Sequence, residues 1–69
     1  MNNVLVKFGI RVRNLRKISK LSIEELAFRA DINKNYLSDV ERGKRNLSLK
    51  AIEKIARGLN VPIEALFIN

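Results

Sequence analysis

Asn33, Lys34, Asn35 and Ser38 fall within six consecutive positions, and each ends in a group that can hydrogen-bond beyond the backbone. A carboxamide such as that of Asn35 matches N6 and N7 of adenine. An ammonium such as that of Lys34 can donate to O6 and N7 of guanine, if either is carried into a major groove. Further on, Gly43-Lys44-Arg45-Asn46 is a turn-rich loop with two cations, a composition suited to gripping phosphate. Lys44 and Arg45 therefore read as grips, although the planar fork of Arg45 could also swing into a groove. Asp39 could accept from cytosine N4, but Arg42 three residues on is its expected partner on one helix face.

The chemistry these residues offer is recognition, not bond-making. The chain has no histidine and no cysteine, which removes the commonest general base, thiolate nucleophiles and thiolate metal sites. No phosphate-cradling glycine loop occurs, and Asp31, Asp39 and Glu41 are badly placed to share a metal. No catalytic, cofactor or metal site is expected.

Fourteen Lys and Arg against seven Asp and Glu give a formal charge of +7 and a pI near 10.4. That balance favours a polyanionic partner, nucleic acid first and an anionic membrane surface second. Lys7, Arg11, Arg13, Arg16, Lys17 and Lys20 make the first helix basic, with no acid before Glu24. The membrane reading is the weaker, because the apolar stripe of that helix is needed to cover its neighbours. No apolar run is long enough to span a bilayer, and the N-terminal Val-Leu-Val is cut short by Lys7 and Arg11. A cytoplasmic protein of one small domain over residues 1–69 is expected.

These residues need helices to position them. Phe8, Val12 and Leu15, with Leu5 and Ile18 close to the same face, predict a helix from about Val4 to Ser19. From Ser22 to Arg42 two short helices are predicted around a tight turn at Asp31-Ile32-Asn33. Ser22 and Glu25 form a capping box at the start of the first, and Asn33 can cap the second. Leu26, Ala30, Ile32, Leu37 and Val40 supply a shared inner face, with Ala27 small at the crossing. Arg42 and Gly43 end the second helix. Ser48 caps a fourth helix to about Leu59, and Asn60 suits a left-handed cap. Pro62 then opens a fifth helix, within about 61–68, at its favoured first position. Ile63, Leu66 and Phe67 make that tail apolar enough to predict a dimer interface. Arg16 and Glu41 are candidates for a bidentate ion pair inside the fold. The predicted class is all-α, five helices around a central helix-turn-helix whose second helix enters the major groove.

The segments RVRNLRK, LSIEELAFRADI, YLSDVERGKRNLSL and IARGLNVPIEALF together resemble a lambda-repressor-like helix-turn-helix domain of the Cro/repressor type, over nearly the whole chain. The phrase YLSDVERGKRNLSLKAIEKIA is most similar to the controller proteins of restriction–modification systems, which are small dimeric transcription regulators. The resemblance implies base contacts from Asn33, Lys34, Asn35 and Ser38. It implies phosphate contacts from Lys44, Arg45 and Asn46, with Tyr36 near the backbone or a base and Arg42 alongside. It also implies the structural pair Arg16–Glu41, a homodimer on a roughly palindromic DNA operator, and no cofactor. Stand-alone phage-type repressors and antitoxin-like interaction modules share the fold. Glu24 is left without a structural role, on a surface where related activators touch RNA polymerase. Two positions depart from the pattern. Ile23 stands where the family has a phosphate-contacting glutamine, and Asp31 where the turn has glycine.

Overall fold

In a computed structural model describing residues 4–68, the helices are α1 (Val4–Ile18), α2 (Ile23–Ala30), α3 (Lys34–Glu41) and α4 (Leu49–Leu59), followed by a short 3₁₀ helix (Ile63–Phe67). Three of the starts are fixed locally. Ser22 and Glu25 complete a reciprocal capping box, Asn33 Oδ1 accepts from the amides of Asn35 and Tyr36, and Ser48 Oγ accepts from that of Ala51. All four α-helices end alike, in a left-handed residue at Lys20, Asp31, Gly43 or Asn60. In each case the left-handed residue and the one after it donate back to the last turn, as Asp31 N–H does to Phe28 and Ile32 N–H to Ala27. The residues following three of these caps, Leu21, Ile32 and Val61, are apolar and pack against the core. Asp31 thus adopts the conformation that glycine would otherwise supply, without breaking the turn.

The core is drawn from every helix. Phe8 and Val12 of α1, Leu26 and Ala27 of α2, Leu37 and Val40 of α3, Ile55, Ala56 and Leu59 of α4, and Leu66 form one cluster. Two departures from expectation concern its edges. Ile18 is exposed, because at 3.6 residues per turn it lies roughly 120° round from Val12, on the rim of the stripe. The fifth helix is not an α-helix: Pro62 lies before its first residue as the cap, and Ala65 N–H closes an i to i+3 bond on Pro62. Five residues are too few to build up α-helical bonds, so the tighter form prevails. Arg11 Nε donates to the Ala65 carbonyl at 2.8 Å and ties this segment to α1, so one cation of the basic helix serves the fold.

Gly9 is buried where α1 meets the end of α3. A Cβ placed there would run into the carbonyl oxygens of Val40 and Glu41, 2.7 Å from the latter. Gly58 plays a milder part where α4 meets α2, its nearest neighbours lying at 3.1 Å in Ala30 and Leu26. Alanine favours a helix over glycine by about 1 kcal/mol. The clash at Gly9 should outweigh that gain, so Gly9→Ala is expected to lose about 1–3 kcal/mol in denaturant unfolding. Gly58→Ala is expected to lose less. Equal stability of Gly9→Ala and the native chain would show that α1 and α3 can separate freely.

Candidate nucleic-acid interface

Helix α3 carries the polar residues singled out by their chemistry, and its eight residues are held from behind. Leu37 and Val40 are buried in the core, and Glu41 is clamped by α1. Arg16 Nε donates to Glu41 Oε2 at 2.7 Å and Nη2 donates to Oε1 at 3.0 Å, a two-point fork. The remaining Nη1 donates to the Leu21 carbonyl at 2.9 Å, so the same guanidinium also secures the turn between α1 and α2. The side chains are 14% and 7% exposed. The bond to Glu41 raises the Arg16 pKa still further, against the opposing effect of burial, so the charge stays on. At the start of α2, the Ser22 amide and hydroxyl lower the pKa of the Glu25 carboxyl. That contribution is present above the ordinary carboxylate range and disappears as pH falls through the lowered value.

The candidate base readers are not equivalent in place. Asn35 is exposed, its backbone amide held by the Asn33 side chain and its own carboxamide without a hydrogen bond among the described residues. The carbonyl oxygen of Asn33 is occupied as the helix cap, which leaves its amide nitrogen for any further partner. Lys34 Nζ lies 3.6 Å from Glu24 Oε2. Glu24, expected to be unengaged, therefore faces a candidate reader, in an exposed pair of little strength. Ser38 is half-buried and lines a shallow polar cleft between α1, α2 and α3, together with Arg13, Ser22, Ile23 and Arg42. Periodicity gave no reason to separate Arg13 from the other cations of α1; its place in this cleft follows from the packing. Ile23, the position where glutamine was missing, packs against the core.

After α3, Gly43 at φ 75° turns the chain, and its missing side chain lets Val6 of α1 approach. Lys44 and Asn46 are exposed beyond it. Arg45 is not loose. Its guanidinium lies 5.0 Å from the Tyr36 ring centroid, and Nε lies 3.5 Å from Asp39 Oδ2. The expected Asp39–Arg42 pair is replaced by Asp39–Arg45, because the turn at Gly43 folds the loop back along α3. Arg42, Lys44 and Arg13 make no ion pair among the described residues.

The tail needs one correction. Leu66 is only 1% exposed and belongs to the core, so it has no surface to offer a partner. Ile63 and Phe67 are 44% and 56% exposed, and with Leu49 and Ile52 they line an apolar groove. Phe67 also packs on Phe8, ring centroids 5.4 Å apart.

Removing Arg16 would leave the Glu41 carboxylate stranded at the helix junction. Arg16→Ala is expected to cost about 3 kcal/mol in denaturant unfolding. Arg16→Lys should cost less but not nothing, having the charge without the fork. Pairing Arg16→Met with Glu41→Leu should recover much of the loss. An Arg16→Ala loss below about 0.5 kcal/mol would reduce the pair to an ordinary surface contact.

The helix-turn-helix family model matches residues 12–66. The control protein C.BamHI of Bacillus amyloliquefaciens is 49% identical over 61 residues, 87% of this chain and 75% of that protein. The restriction–modification controller C.AhdI of Aeromonas hydrophila superposes with a TM-score of 0.93 at 45% identity, covering 96% of this chain and all of that one. The controller C.Esp1396I, solved as a tetramer on its natural 35-base-pair operator, superposes with a TM-score of 0.89 at 30% identity, over 97% of this chain and 88% of its own. The chain belongs to the helix-turn-helix family, with restriction–modification control proteins among its close relatives.

Proposed function

We propose that the protein is a sequence-specific, DNA-binding regulator of transcription that acts as a homodimer and controls expression of restriction–modification genes. The observation that carries this is α3, a short helix clamped to α1 by Arg16 and Glu41, with the exposed Asn35 and Lys34 near its start and the cationic loop at its end. Two relatives that it matches over most of their length are control proteins, and a related controller is seen as a tetramer on operator DNA. The protein acts by binding, without catalysis, in the cytoplasm. No described helix is long and apolar enough to cross a membrane.

Two copies would present two α3 helices to successive major grooves about 34 Å apart, which makes the target roughly palindromic. The groove formed by Leu49, Ile52, Ile63 and Phe67 supplies the apolar surface for that pairing. Ile63→Glu tests it more cleanly than a change at Phe67, because Phe67 also supports Phe8. The variant is expected to sediment as a monomer and bind its site far more weakly. A native chain that is itself monomeric at roughly ten micromolar would count against the dimer.

Gripping and reading separate in a salt titration. Phosphate contacts hold the protein without choosing a sequence, and each steepens the dependence of log K on log salt by about 0.9. Lys44→Ala should weaken binding to preferred and scrambled duplexes alike and flatten the slope by about one unit. Asn35→Ala should leave the slope nearly unchanged and relax preference at one base pair per half-site. The reverse pattern would mean that the loop reads and the helix grips.

A further inference from the structure

We propose that Glu24 of α2 is a positioning residue for Lys34, holding the ammonium where it reads guanine instead of straying to phosphate. The inference rests on the DNA-binding function proposed above. A lysine left to itself is a poor reader. Its ammonium is a point charge on a flexible four-carbon stem, and phosphate oxygens are the commonest acceptors on a duplex. Here Nζ lies 3.6 Å from Glu24 Oε2, on the neighbouring helix of the motif. Among the described residues no other carboxylate forms an ion pair with Lys34.

Position explains both partners. Lys34 is the first residue of α3, where unpaired amides make the helix end positive and disfavour a cation, and the first turn of α3 has no acid to offset this. Glu24 lies in the first turn of α2, where the same effect favours a carboxylate. The negative charge that α3 lacks is thus supplied by α2. Its neighbours are committed elsewhere. Ile23, in place of the glutamine of the family pattern, packs against the core, and Glu25 accepts from the Ser22 amide. The pair also leaves room for reading. An ammonium has three donors, and one directed at Glu24 leaves two for O6 and N7 of a guanine edge. The two side chains are 53% and 64% exposed, so pairing does not bury the lysine away from a duplex.

The test starts from duplexes with a randomised centre of about 30 base pairs, room for two half-sites and their flanks. From these the native protein selects its preferred sequence, with no polymerase present. Lys34→Met, Glu24→Ala and the double variant are then titrated beside the native chain on the selected duplex, its single-pair variants and the unselected pool, at several salt concentrations. Lys34→Met should lose about tenfold of the preference at one G·C pair per half-site. Glu24→Ala should lose about two- to fivefold at that same pair, the scale of an exposed ion pair. It should also steepen the salt slope on the pool by about one unit as Lys34 turns to phosphate. With Lys34→Met already in place, Glu24→Ala should change base preference no further. Circular dichroism and melting would confirm that all three variants are folded. If Glu24→Ala keeps the native preference, as a carboxylate reserved for a protein contact would, the proposal fails. It fails equally if Glu24→Ala relaxes a different pair, or alters preference as much without Lys34 as with it, because its charge then acts independently of the lysine. A Lys34→Met variant that relaxes no pair removes the reader and overturns the inference while leaving the regulatory reading intact. A native protein that enriches no sequence overturns the regulatory reading, and this inference with it.

Discussion

The crossing of α1 and α3 is the contact on which the functional surface depends. Eight residues rich in Asn, Tyr, Ser and Asp do not form a stable helix in water. Helix α3 exists because its surroundings complete it. Asn33 caps its start, Leu37 and Val40 anchor it in the core, and Gly43 closes its end with a left-handed turn. Its orientation comes from α1, where Gly9 removes the side chain that would hold the backbones apart and Arg16 forks onto Glu41. The same arginine reaches the Leu21 carbonyl, so the turn leading into α2 is set by the group that sets α3. A tilt of α3 would disturb every polar residue that it presents.

Charge is distributed with the same economy. The chain has half as many acids as bases, and the acids near the recognition helix all have local duties. Glu41 locks the crossing, Glu25 caps α2, Glu24 faces Lys34 and Asp39 faces Arg45. Exposed pairs such as the last two add little stability. Under the proposed function, their effect is on where Lys34 and Arg45 lie when DNA arrives. Among the described residues Arg42, Lys44 and Arg13 have no such partner, which leaves them to the general electrostatic attraction.

A domain of this size buries a modest fraction of its surface and is marginal on its own. Leu66 is drawn inward to complete the core, while Leu49, Ile63 and Phe67 remain on the surface in one groove. Under the proposed two-fold arrangement, covering that groove would add to stability and fix the distance between two α3 helices in one step.

What the sequence determined by itself is what depends on neighbours within about one helical turn. The capping box at Ser22, the caps at Asn33 and Ser48, the turn residues Asp31, Gly43 and Asn60, and the apolar periodicity of the four helices are all interactions at short separation, and the residue types disclose them. Lys20 is the exception. It takes a left-handed cap that lysine does not advertise, because Leu21 must turn inward to the core. The Arg16–Glu41 pair could be offered only as a candidate from the residues, with the family resemblance pointing to it. Tertiary structure alone decided the rest: that Gly9 lies where α1 meets α3, that Leu66 is inside while Phe67 is half outside, and that Asp39 meets Arg45 instead of Arg42. Each of these depends on where one segment comes to lie against another. Helical spacing along one segment can place Arg42 beside Asp39, but only the fold of the loop over α3 brings Arg45 closer.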